Sequence, residues 1–209
     1  MQNDLKVQVS ALFPTPVAAL PLPDAAQLNP ALKSLILARR QAGPQTSASN
    51  LGGWQSGWDM EAWGGPQTKA VLEAAKAVAD KLTVRRDGQP AQIAWRCNCW
   101  ANVNGPGDSN EFHCHPGSFW SGAYYVDDGG SGNPEMGGAF EMMDPRGPGP
   151  ALYAPHLAYA MPQGLSPGSS ETLQPRSGLL ILFPAWLLHQ VRPYRGNSLR
   201  ISIAFNLSI

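Results

Sequence analysis

Residues 111–126 read EFHCHPGSFWSGAYYV and place two of the chain's four histidines, His113 and His115, one residue apart ahead of an aromatic, β-prone run. On an extended strand alternate side chains leave the same face, so imidazoles at this spacing project together and can share one metal ion. A third histidine, His189, follows a separate apolar run, GLLILFPAWLLHQV, and eleven residues on comes Arg200 in LRISIAF, where Arg200, Ser202 and Ala204 share a strand face. Three histidines that include an H-x-H pair suit a divalent metal: a tetrahedral zinc carrying an activated water, or a redox-active ion with open positions. The fourth, His156, lies in a proline-rich stretch and reads as an exposed loop residue.

Elements must bring these residues together. Residues 24–43 (DAAQLNPALKSLILARRQAG) predict a helix with Asp24 as N-cap, Leu32, Leu35 and Ile36 as apolar positions and Gly43 as the stop. Residues 65–84 predict a second, with Pro66 near its start and Val71, Leu72, Ala75, Val78 and Leu82 on one stripe. From Ala91 the pattern changes to short β-rich runs broken by Gly and Pro: IAWRCNCWANV, FWSGAYYV, GAFEMM, GLLILFP and LRISIAFNLSI. Helices first and strands afterwards predict a mainly β, α+β chain, with helices of about 20–85 supporting a sandwich or barrel of about 91–209, because a doubly wound sheet would need alternation. At 209 residues the chain is expected to be a single domain, 1–209. The stretch 144–178 holds seven prolines and no periodicity, and is expected to be a lid or substrate loop over the barrel mouth.

The order of these motifs over residues 95–209 resembles the 2-oxoglutarate- and iron(II)-dependent oxygenases. The resemblance is carried by NVNGPGDSNEFHCH, SGAYYVDDG…GGAFEMMDPR, SGLLILFPAWLLHQVRP and the Arg-x-Ser of LRISIAF, and HPGSFWSGAYYV and LFPAWLLHQV look like a bacterial and phage subgroup with His-x-His-Pro. It implies a double-stranded β-helix (jelly-roll, cupin-like) core, in which His113 and His189 ligate iron(II). Arg200 would pair with the far carboxylate of 2-oxoglutarate and Ser202 would hydrogen-bond the same group; a planar guanidinium holds a carboxylate bidentately. Asn102, Asn104 and Tyr124 or Tyr125 are expected to contact this co-substrate, with Tyr124 the first choice. The resemblance departs at His115, which stands where the family carries a carboxylate. Either His115 completes the ligand set, or Glu111 or Asp108 supplies the anion.

Two functions stay open at this level. One is an oxygenase using O2 to couple decarboxylation of 2-oxoglutarate to oxidation of a small-molecule or peptide substrate; the other is a three-histidine zinc protein, hydrolytic or purely binding. Lys+Arg and Asp+Glu balance at 15 each, so no basic field is expected to draw in nucleic acid or an anionic membrane. Three cysteines, with no leader-like N-terminus, are expected to be reduced thiols in the cytoplasm, and CNC reads as strand positions rather than a soft-metal pair. Trp54, Trp58 and Trp63 read as core or interface aromatics, with a substrate cleft as the alternative. Oligomeric state is not encoded in any of these features.

Overall fold

The computed structural model describes residues 6–43, 45–160 and 168–209. The N-terminal part contributes β1 (Ala18–Pro21), α1 (Ala25–Ala42), β2 (Asn50–Leu51), β3 (Trp54–Gln55), the one-turn α2 (Met60–Trp63) and α3 (Gly65–Leu82). Strands follow: β4 (Arg96–Asn104), β5 (Ser109–His113), β6 (Trp120–Asp127), β7 (Phe140–Met143), β8 (Ser170–Leu173), β9 (Leu179–Pro184), β10 (His189–Val191) and β11 (Arg200–Ser208). They form two antiparallel sheets, ordered β1-β9-β6-β11-β4-β3 and β2-β5-β10-β7-β8. This is the expected mainly β chain with N-terminal helices, folded as a double-stranded β-helix.

Period-two alternation in β11 assigns each sheet face its job. Ile201, Ile203, Phe205 and Leu207 are fully buried and pack with Leu32 and Ile36 of α1 and with Val71, Leu72, Ala75 and Ala79 of α3. Each such side chain is worth about 1.5–3 kcal/mol relative to exposure. Arg200, Ser202, Ala204 and Asn206 then face the other way, into a cavity between the sheets. A smaller core of Tyr125, Phe140, Met142, Ile181, Phe183 and Leu187 closes the sandwich beside that cavity.

Both predicted helices form within a residue or two of their expected limits, and details differ. Asp24 stands at the N-cap of α1 without a side-chain cap hydrogen bond, while Gly43 ends the helix and donates its N–H to the Arg39 carbonyl. In α3 the buried stripe runs through Ala79, and Leu82 is exposed while the next residue, Thr83, turns inward to accept from Trp120 Nε1 of β6 at 2.9 Å. Within 144–178, Ser170–Leu173 pairs with β7 as β8, so this stretch is not structureless. Among the described residues no helix is long and apolar enough to cross a membrane.

Candidate metal centre and co-substrate pocket

His113 and His189 are direct cross-strand partners on β5 and β10, which puts their rings 4.3 Å apart between centroids. His115 arrives differently from the strand-alternation prediction. β5 ends at His113, and the chain turns at residues 115–118, where the His115 N–H donates to the Ala185 carbonyl at 2.8 Å. That bond, made to the residue following β9, returns the His115 ring to within 5.0 Å of His113 and 5.1 Å of His189. One ligating nitrogen from each of the three lies within 4.8 Å of the others.

The tautomers follow from the neighbours. A carbonyl can only accept, so Nδ1–H of His113 donates to the Glu111 carbonyl at 2.7 Å and Nδ1–H of His189 to the Leu187 carbonyl at 2.8 Å. Each ring is left with its lone pair on Nε2. Burial, with His113 alongside, pushes His189 down to about 3 and His115 to about 4; burial also lowers His113, against its bond to the Glu111 carbonyl. At neutral pH all three rings are uncharged, the state a metal requires.

Arg200 lines the same cavity, of about 560 Å3, and is 2% exposed. Among the described residues no carboxylate pairs with it. Nη1 donates to Asn104 Oδ1 at a long 3.4 Å, Nε has no partner, and the guanidinium carbon lies 5.2 Å from the centre of the Tyr125 ring. The buried Tyr125 hydroxyl lies against the guanidinium without a well-formed hydrogen bond. A buried cation with an unsatisfied donor beside a buried phenol forms a cradle that suits a carboxylate and that an apolar group would leave unsatisfied.

Ser202 and Asn102 line the cavity as expected, whereas Asn104 contributes only through Arg200. Tyr124 does not face it. Alternation along β6 sends Tyr124 into the helix-facing core, where its hydroxyl donates to Asn29 Oδ1 at 2.6 Å, and Tyr125 takes the place expected of it. Of the two carboxylates considered as ligands, Asp108 accepts the Gly105 N–H at 2.6 Å and lies outside the cavity; Glu111 is an exposed residue of the cavity wall, outside the three-histidine group. None of the described residues of 144–178 lines the cavity, which corrects the expected lid; residues 161–167 lie outside the described set. Asp144, Pro145, Arg146, Ala158 and Glu171 instead line a second groove, together with residues of the N-terminal segment such as Leu12, Phe13 and Val17. His156 is exposed, as its loop setting predicts. Of the three tryptophans Trp58 alone lines the cavity, while Trp54 is core. Trp100 and Ser49, also in the wall, carry no sequence signal: one looks like any strand aromatic, the other like any loop serine.

The profile of a family described as "Putative 2OG-Fe(II) oxygenase" matches residues 98–206, more than half of the chain. The chain belongs to this family. The oxygenase is accordingly an enzyme that uses iron(II) and 2-oxoglutarate, and its three-histidine cluster and buried Arg200 suit a metal and a dicarboxylate. A search of curated proteins returns no match. Among solved structures, a prolyl-4-hydroxylase from Pseudomonas putida superposes with a TM-score of 0.62 at 17% identity, over 92% of this chain and 91% of that one. A prolyl hydroxylase from Trichoplax adhaerens, in complex with a hypoxia inducible factor oxygen degradation domain peptide fragment, gives 0.61 at 14% identity over 92% and 83%. HygX from Streptomyces hygroscopicus, with nickel and 2-oxoglutarate bound, gives 0.58 at 12% over 93% and 83%. At these identities the likeness extends to the fold, the double-stranded β-helix.

Proposed function

We propose that His113, His115 and His189 hold the iron(II), and that Arg200, assisted by Ser202 and Tyr125, binds the far carboxylate of 2-oxoglutarate, in an oxygenase acting on an uncharged or cationic small molecule or peptide side chain. When bound, iron and 2-oxoglutarate supply the oxidising chemistry, activation of O2 coupled to decarboxylation to succinate. The chain's own part is to orient and to exclude water. The cross-strand histidines fix two ligating nitrogens through main-chain carbonyls, the turn at residues 115–118 brings in the third, and the sandwich core dries the floor beneath them. Asn102, two residues before Asn104 on the same strand, would offer its amide to the dicarboxylate.

The single observation carrying this reading is the fully buried guanidinium that shares a cavity with three neutral imidazoles and, among the described residues, has no carboxylate of its own. The charge of the wall supports the substrate class. Among the described residues Glu111 is its one carboxylate and Arg200 its one Lys or Arg, so a phosphorylated or polyanionic substrate would find no counter-charge left over. Trp58, Trp100 and Phe112 add flat apolar faces around the mouth. The whole chain is read as one domain, with α1 and α3 as its support, and its three free cysteines suit a reducing, cytoplasmic setting.

Anaerobic titration tests the co-substrate assignment. Arg200→Ala should abolish the visible charge-transfer band that iron(II) and 2-oxoglutarate give together, with metal content near wild type. Survival of that band would remove Arg200 from its assigned role. Succinate release across matched neutral, cationic and phosphorylated compounds tests the substrate class, and stimulation confined to the phosphorylated members would contradict it.

A further inference from the structure

His115 is held unlike the other two imidazoles. His113 and His189 each rest on a main-chain carbonyl two residues earlier, but Nδ1 of His115 faces a side chain, the amide nitrogen of Asn206 on β11 at 3.5 Å. Asn206 is buried, at 7% exposure, and its amide is gripped from the far side by Ser121 of β6, whose hydroxyl donates to Asn206 Oδ1 at 2.7 Å. With the amide this way round, the hydrogen-bond chain starts at Ser121 and leaves an N–H2 aimed at a ring nitrogen.

A metal at Nε2 of His115 reverses the demand. Neutral imidazole carries one proton, so when Nε2 gives its lone pair to a metal the proton sits on Nδ1, where it would meet the amide N–H2, donor against donor. A half-turn of the amide about its last bond removes the conflict. The oxygen then accepts from His115 Nδ1–H, and the nitrogen donates to Ser121 Oγ, which accepts as readily as it donates.

We propose that Asn206 is a positioning residue for the third metal ligand: with metal bound, its amide oxygen accepts the Nδ1 proton of His115, Ser121 steadies the amide, and Nε2 of His115 is thereby aimed at the ion. The proposal rests on His115 being a ligand. It gives β11 two tasks on one face, the dicarboxylate at Arg200 and Ser202 and the third imidazole at Asn206, all at the strand's period of two. It also answers how a histidine in a turn, without the main-chain clamp of the other two, keeps a fixed ring orientation.

Calorimetric titration of the metal-free protein with iron(II) alone, under anaerobic conditions, provides the test. Asn206→Leu, close in size and without an acceptor, should bind about 10–100-fold more weakly, the usual cost of losing a partner behind a ligating histidine. Asn206→Asp keeps an acceptor and should bind at least as tightly as wild type. A merely structural role predicts instead that both variants weaken alike, and that result, or wild-type affinity in Asn206→Leu, overturns the proposal. His115→Ala separates the two levels: if it binds as wild type, the ligand assignment itself fails and Asn206 has nothing to position. A measurement that needs no variant is the 15N spectrum of the zinc-loaded protein, where His115 should show a protonated Nδ1 and a metal-shifted Nε2. Metal on Nδ1 would refute the arrangement.

Discussion

Tyr124 and Tyr125 are adjacent in sequence, and strand geometry gives them opposite surroundings. Burial raises the Tyr125 phenol, so it keeps its proton at neutral pH and can only donate to a carboxylate beside Arg200. Tyr125→Phe should therefore raise the Kd for 2-oxoglutarate about tenfold or more, the value of one hydrogen bond to a charged group. Tyr124→Phe should leave that Kd unchanged and instead cost about 1 kcal/mol of stability, through the lost bond to Asn29. Anaerobic co-substrate titration beside thermal melts reads both outcomes, and a larger Kd effect at Tyr124 would reverse the assignment. The sequence was legible here up to a parity: alternation says that one tyrosine faces inward, and only the register with Ile203 and Ser202 says which. His115 shows the same limit. The H-x-H spacing identifies the pair, but the ring arrives through a turn held by the Ala185 carbonyl, a contact some seventy residues distant that spacing cannot encode.

At the scale of elements, the long strands and both long helices were readable because each has enough residues for a period to repeat. β1, β2, β3, β8 and β10 have four residues or fewer and exist through pairing with their neighbours, so no local pattern marks them; β7, equally short, is legible because Gly and an apolar-aromatic run mark it. β6 shows how tightly that pairing is set. At Gly122 a Cβ would collide with the Ile181 carbonyl on one side and the Phe205 ring on the other, and a main-chain carbonyl within a sheet cannot withdraw. Gly122→Ala should cost about 2–3 kcal/mol by denaturant melt, well beyond an ordinary strand substitution. A second joint is Glu141 on β7, which accepts from Ser170 of β8 at 2.5 Å, from Gln190 of β10 at 2.5 Å and bidentately from Arg192 at 2.8 Å. Arg192, chiefly, holds this carboxylate at about 2, below its usual 4.5. A depressed carboxylate contributes stability in full above the unfolded value, and that contribution is lost as the pH falls from 4.5 toward 2. Glu141→Gln should destabilise the protein at pH 7 by about 2 kcal/mol and flatten the dependence of Tm on pH below 4.5. An acid transition as steep as wild type would mean that other carboxylates govern it.

Over the whole molecule, function and stability oppose each other at one residue. Arg200 opens β11 on the larger sheet's cavity face, where burial disfavours its charge and the relief comes first from the Tyr125 phenol, then from Tyr194 and Asp128, with one long bond to Asn104. Removing water from a guanidinium without supplying a paired carboxylate costs several kcal/mol, which the helix-packed side of the same strand must offset through Ile201, Ile203, Phe205 and Leu207. Arg200→Leu keeps an apolar stem, though a shorter one, and removes both the charge and its unsatisfied Nε. The ligand-free variant should melt above ligand-free wild type, because a buried charge without a paired carboxylate no longer has to be stripped of water. Adding 2-oxoglutarate with manganese(II) should then invert the order: wild type gains about 2.7 kcal/mol at a hundred times Kd, and the variant gains from the metal alone. Differential scanning calorimetry of both proteins, with and without the two ligands, reads the four values. If ligand-free Arg200→Leu melts below wild type, the guanidinium is already satisfied within the fold, and an empty cradle is the wrong description of that cavity.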